Sequence, residues 1–194
     1  MKFPPQITTQ QIEKLPLAEF NGKIVVVSAE DANYKEAIEY LNSQKIIGFD
    51  TETKPCFAAH APKNRVALLQ LAGEERAYIF RLQMIGLPKA LAELLSNVGI
   101  IKVGAAVRDD INGLNRYSKF NAGGFKDLQS IAEKFGIMEK SVRKMAAIIL
   151  DVRVSKSQQL SNWESSRLTE AQLKYAAIDA WVCRQMYVKL LSIV

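Results

Sequence analysis

The sequence predicts one domain built around a mixed β-sheet, of α/β or α+β class, and three observations carry that prediction. Short β-branched and aromatic runs recur through the first half with helical patterns between them. Beyond Gly104 the apolar residues recur at helical spacing, and strands give way to helices. The length of 194 residues suits a single domain with a sizeable core.

Residues 1–22 read as an N-terminal arm, because Pro4, Pro5 and Pro16 break any long helix. Residues 23–194 read as the domain. Ile24-Val25-Val26-Val27 is a β-branched run and hence a strand. Ser28-Ala29-Glu30-Asp31 resembles a helix start, and Ala37, Ile38, Tyr40 and Leu41 suit a helix reaching about Gln44. Ile46 to Asp50 is the next strand, and Thr53 to Asn64, with Pro55 and Pro62, a loop. Val66 to Leu71 and Ala77 to Phe80 flank the polar turn Gly73-Glu74-Glu75-Arg76, the spacing of an antiparallel hairpin. Leu87 to Leu95 is a short helix and Ile100 to Gly104 the fifth strand. Helices follow over Val107 to about Asn115, Asp127 to Phe135, Ser141 to Leu150, and Thr169 to Leu191.

Composition excludes several classes. Apolar residues make up 48% and charged residues 24%, which is globular rather than disordered. Cys56 and Cys183 form no paired ligand motif and read as free thiols of a reducing compartment. Met1-Lys2-Phe3-Pro4-Pro5 leads into polar residues instead of a signal-peptide core, and no apolar run is long enough to span a bilayer. A cytoplasmic or otherwise intracellular protein without membrane contact is expected. Lys+Arg 26 against Asp+Glu 20 gives a net charge of +6, which suits a polyanionic partner such as nucleic acid.

Chemistry is concentrated in three acidic elements. Asp50 and Glu52, in Phe49-Asp50-Thr51-Glu52-Thr53, lie two apart at a strand end and so share a face. Alone, the pair could mark a solvated strand end. Tyr175 and Asp179 lie four apart on the final helix, among Ala176, Ala177 and Ala180, which allow close approach to a sheet. Asp109 and Asp110 open the helix after Gly104, where acids also complement the helix dipole. Together the three elements are what a two-metal site requires: hard ions such as Mg²⁺ prefer carboxylate and water oxygens, and a pair of them activates water in phosphodiester cleavage.

Ile47 to Thr53, Val66 to Leu71, Lys102-Val103-Gly104, Leu168-Thr169-Glu170 and Tyr175 to Ala180, taken in that order, resemble the DEDDy 3′–5′ exonucleases, in the ribonuclease D and Werner-type branch. The resemblance runs from about Lys23 to Leu191. It implies one ribonuclease-H-like α/β domain, a mixed five-stranded sheet in which an antiparallel meander continues into parallel strands, with helices on both faces. It implies hydrolysis from a nucleic-acid 3′ end with two divalent metal ions, Mg²⁺ or Mn²⁺. Carried over residue by residue, the metal ligands are Asp50, Glu52, Asp110 and Asp179, and Tyr175 joins them as a catalytic residue. The acid of the second motif falls eight positions into a segment starting at Val103, which selects Asp110. Asp109 departs from the usual uncharged neighbour.

Lys54, Lys63 and Arg65 around the loop, and Lys156 with Arg143, Lys144 and Arg153 ahead of the final helix, could hold the strand; singly, each could equally be a solvated charge. Phe57 and Trp163 could stack on bases, although Trp163 suits a core equally well. His60 reads as an exposed loop residue. The chain stops at Val194, directly after the last helix, which looks more like the Werner-type branch and gives DNA a slight preference over RNA. The alternatives are a catalytically silent nucleic-acid-binding module with the same fold, and an endonuclease of the ribonuclease H type.

Overall fold

The computed structural model describes residues 3–57 and 64–193. Its sheet has six strands: β1 (Lys23–Val27), β2 (Ile46–Thr53), β3 (Val66–Ala72), β4 (Arg76–Arg81), β5 (Ile101–Gly104) and β6 (Phe125–Asp127). Their order is β1-β4-β3-β2-β5-β6. β2, β3 and β4 form the antiparallel meander, while β1 adds to β4, β5 to β2 and β6 to β5 in parallel. The five-stranded sheet expected from sequence is therefore corrected to six. Phe125-Lys126-Asp127, read as loop and helix start, pairs with β5 before Asp127 caps the helix that follows.

Alternation along β2 and β3 divides the core. Phe49, Leu69 and Leu71 face one side, where they meet α2 (Ala32–Ser43) and α4 (Lys89–Ser96) through Leu41, Leu91 and Leu94. Leu68 and Ala72 face the other side, beneath α8 (Glu170–Leu191). β3 is buried over its whole length because helices cover both faces. α7 (Val142–Leu150) and α6 (Leu128–Lys134) share a second cluster with α8 through Met145, Leu128 and Met186. α3 (Leu82–Ile85) is a single turn after β4, and α5 (Val107–Leu114) follows β5.

Two local features fix this frame. α8 is capped by Thr169, whose side chain accepts from the Gln172 backbone while Gln172 reaches back to the Thr169 N–H. Lys102 in β5 is fully buried and donates from Nζ to the Leu94, Asn97 and Ile100 carbonyls, tying β5 to the end of α4. Burial lowers its pKa to about 8. Ahead of β1, α1 (Thr9–Glu13) buries Ile12, and Phe3 and Ala18 join the α6–α7–α8 cluster. No helix among the described residues is long and apolar enough to cross a membrane.

Candidate active site

The site forms where β2 runs under α8. Gly48, Asp50 and Glu52 alternate onto the α8 face. Gly48 lets the helix descend: a Cβ there would lie 1.8 Å from the Ala180 carbonyl oxygen. Asp179, one residue earlier on α8 and 8% exposed, is thereby set against the strand. Oxygens of Asp50, Glu52 and Asp179 lie within 4.8 Å of one another, close enough to share one cation. Tyr175, one turn earlier on α8, lines the same cleft as Asp179.

Asp110 reaches the strand from the other side. Thr51 lies between Asp50 and Glu52 in sequence and so projects to the opposite face, where its hydroxyl donates to Asp110 Oδ1 at 2.5 Å. Asp110 stands in the first turn of α5, and its neighbour Asp109 is exposed. The residue ahead of α5, Ala106, adopts a left-handed conformation at φ 56°, a costly choice for a side chain with a Cβ.

Electrostatics favour a cation here. Burial, then repulsion from Asp179 and Glu52, raises the Asp50 pKa well above the carboxylate range. Burial first and Asp179 second push Glu52 to about 8, and burial lifts Asp179 to about 7 and Asp110 to about 6. Among the described residues none of the four acids forms an ion pair. An all-oxygen donor set with unbalanced charge fits Mg²⁺ or Mn²⁺. Burial, followed by Asp179 and Glu52, also raises the Tyr175 pKa, so this residue is a neutral phenol at physiological pH.

The surroundings sort the remaining sequence-derived candidates. Thr51, Lys54, Asp110 and Arg116 line a cleft of about 610 Å³ on one side of the acids. Tyr175 and Asp179 line another of about 490 Å³ facing Phe20 and Ser155. Lys54 pairs with Glu164 at 3.4 Å, and Arg65 lies over the Tyr117 ring at 5.5 Å. Phe57 is 82% exposed, and Lys156 is also exposed. Lys63 and His60 lie outside the described residues.

Trp163 requires a correction as a base-stacking candidate: it is 1% exposed and packs against the Tyr175 ring at 5.8 Å, with Leu68 and Ala176 around it. Arg153 spends its Nε on the Leu15 carbonyl, and Lys144 pairs with Glu139.

Sequence reading missed Thr51, whose signal was only its position between two acids. It also missed Arg81, which donates to the Ser165 and Ser166 carbonyls and so anchors the loop carrying Trp163.

The family model described as 3′-5′ exonuclease matches residues 25–194. The chain is 32% identical over 156 residues to DNA polymerase I of Aquifex aeolicus, covering 80% of this chain and 25% of that protein. It is 31% identical over 187 residues to the mouse (Mus musculus) bifunctional 3′-5′ exonuclease/ATP-dependent helicase WRN, covering 92% of this chain and 13% of that protein. It therefore spans only a small part of these relatives. In fold it is similar to the EXO domain of Aedes aegypti Nibbler, with a TM-score of 0.77 and 23% identity, covering 90% of this chain and 91% of that one.

Proposed function

Because the chain belongs to the 3′–5′ exonuclease family, we propose that it hydrolyses nucleotides from nucleic-acid 3′ ends by a two-metal mechanism. The observation that carries this reading is the convergence of Asp50, Glu52 and Asp179 within 4.8 Å, at a strand end that also engages Asp110 through Thr51. Two divalent ions, Mg²⁺ or Mn²⁺, supply water activation and charge neutralisation in such a reaction. In this assignment Asp50 would serve both ions, Glu52 and Asp179 would complete one, and Asp110 would hold the other. Tyr175, kept neutral by its surroundings, orients the attacking water and does not act as a phenolate base.

Lys54, Arg65 and Lys156 would neutralise phosphates along the rim, and exposed Phe57 would stack on a base. DNA is the favoured substrate over RNA in this reading, supported by the 32% identity to a DNA polymerase. The test is a 3′-labelled oligonucleotide incubated with Mn²⁺ and then with EDTA. Label released only with metal is the expected result. Retained label with tight binding would identify a silent binding module, and internal fragments an endonuclease. Initial rates on single-stranded DNA, recessed-end duplex and RNA of one sequence decide the substrate. A preference for RNA of about tenfold, roughly 1.4 kcal/mol at the transition state, would reverse the ordering.

A further inference from the structure

One polar side chain on the α8 face of the sheet has no place in the assignment above. β2 and β3 pair so that Gly48, Asp50 and Glu52 stand opposite Ala72, Gln70 and Leu68. Opposite residues of an antiparallel ladder project to the same face with Cβ atoms about 4.5–5.5 Å apart, which puts Gln70 beside Asp50. The flanking residues identify the face. Leu68 packs with Trp163 and Ala176, and Ala72 with Ala177 and Ala180, all beneath α8.

Gln70 is 1% exposed, and among the described residues neither its Oε1 nor its Nε2 has a hydrogen-bond partner. A buried amide without partners costs stability, whereas an apolar side chain would fill the same space without that cost. Leu69 and Leu71, its chain neighbours, do this on the opposite face. The fold alone therefore gives no use for the amide. Its neighbour across the ladder is Asp50.

We propose that Gln70 is a positioning residue for Asp50: its Nε2–H, which has no partner among the described residues, becomes the donor to the Asp50 carboxylate when that carboxylate turns to receive a divalent cation, and holds it in that orientation. The inference rests on the metal-dependent reading above. A neutral donor suits this task. It orients the carboxylate without cancelling the negative charge on which cation binding depends, whereas a lysine or arginine in its place would compete with the metal. Groups behind a metal ligand that fix its orientation contribute about 10- to 100-fold to affinity or activity.

The experiment compares the full chain with Gln70→Met and Gln70→Leu, using Mn²⁺ binding by titration calorimetry, the spin-resonance spectrum of bound Mn²⁺, and metal-free thermal unfolding. Both substitutions remove the amide at similar volume, and the unbranched Met carries the test if Leu disrupts packing. The expected result is a metal-free Tm equal to or above wild type together with Mn²⁺ affinity about tenfold weaker or more, and an altered Mn²⁺ spectrum. A lower metal-free Tm with Mn²⁺ affinity within about twofold of wild type would make Gln70 a structural residue and overturn the inference. Asp50→Asn separates the two levels. Binding lost in Asp50→Asn but retained in Gln70→Met defeats only the positioning role, whereas a wild-type chain that binds no Mn²⁺ defeats the metal-dependent reading and this inference with it.

Discussion

At the scale of single residues, the alternation of β2 divides the labour. Asp50 and Glu52 face α8, while Thr51 faces α5 and fixes Asp110. Asp50→Asn keeps the shape, removes one charge from a repelling cluster, and should cut cleavage by about a hundredfold or more while leaving the metal-free Tm unchanged or higher. Rates with Mn²⁺ and melting curves check both halves; near-wild-type turnover would reject Asp50 as a ligand. Thr51→Val removes a hydrogen bond to an acid, a contact worth about 1.5–3 kcal/mol, and frees Asp110. Denaturant unfolding should show that loss, and cleavage should fall by about tenfold. Strand and helix periods state that Asp50 shares a face with Glu52 and Tyr175 with Asp179, whereas Asp110 and the roles of all five were legible only through the resemblance to the DEDDy exonucleases. Thr51 was not legible, because its partner lies 59 residues away on an element whose approach no local pattern gives.

At the scale of elements, the site depends on how closely α8 approaches β2 and how α5 leaves β5. Gly48→Ala would place a methyl against the Ala180 backbone, so α8 must shift and carry Asp179 with it. A stability loss of about 1–3 kcal/mol is expected, with reduced turnover even where the protein remains folded; a Tm unchanged from wild type would show that the helix can yield. Ala106→Gly relieves the left-handed alanine at the start of α5 and should stabilise by about 1 kcal/mol, read from the shift in urea midpoint.

The longer elements were legible because their apolar spacing is sustained: the helix read as Thr169 to Leu191 is Glu170–Leu191, capped by Thr169. β6 was not. Its three residues are too few to show alternation, and they become a strand only because the parallel edge of β5 accepts them. The structure also extends β2 to Thr53, past the expected end at Asp50, so that Glu52 stands within the strand, with a bulge beside it.

At the scale of the whole molecule, a chain of net charge +6 holds a cluster of partly buried acids, so protons and divalent cations compete for one site. In the unfolded chain these carboxyls ionise near pH 4. In the fold, Asp110 ionises at about 6, Asp179 at about 7 and Glu52 at about 8, with Asp50 also raised. Between about pH 4 and pH 8 the folded protein therefore holds more protons than the unfolded one, and the sign of the linkage makes stability fall as pH rises. Metal-free protein should accordingly melt at a higher temperature at about pH 5 than at about pH 8. Asp179→Asn should flatten that slope, because it removes one raised carboxyl and relieves its repulsion of Glu52 and Asp50. Adding Mn²⁺ should reverse the trend, since its ligands bind as carboxylates and gain where the proton is lost. At a free concentration of about one hundred times Kd the gain is about 2.7 kcal/mol. Melting curves at the two pH values, with EDTA and with Mn²⁺, check this directly. A metal-free Tm that climbs from pH 5 to pH 8 would mean that the acids are stabilised as anions by the protein itself, and the electrostatic argument for a cation at this site would fail.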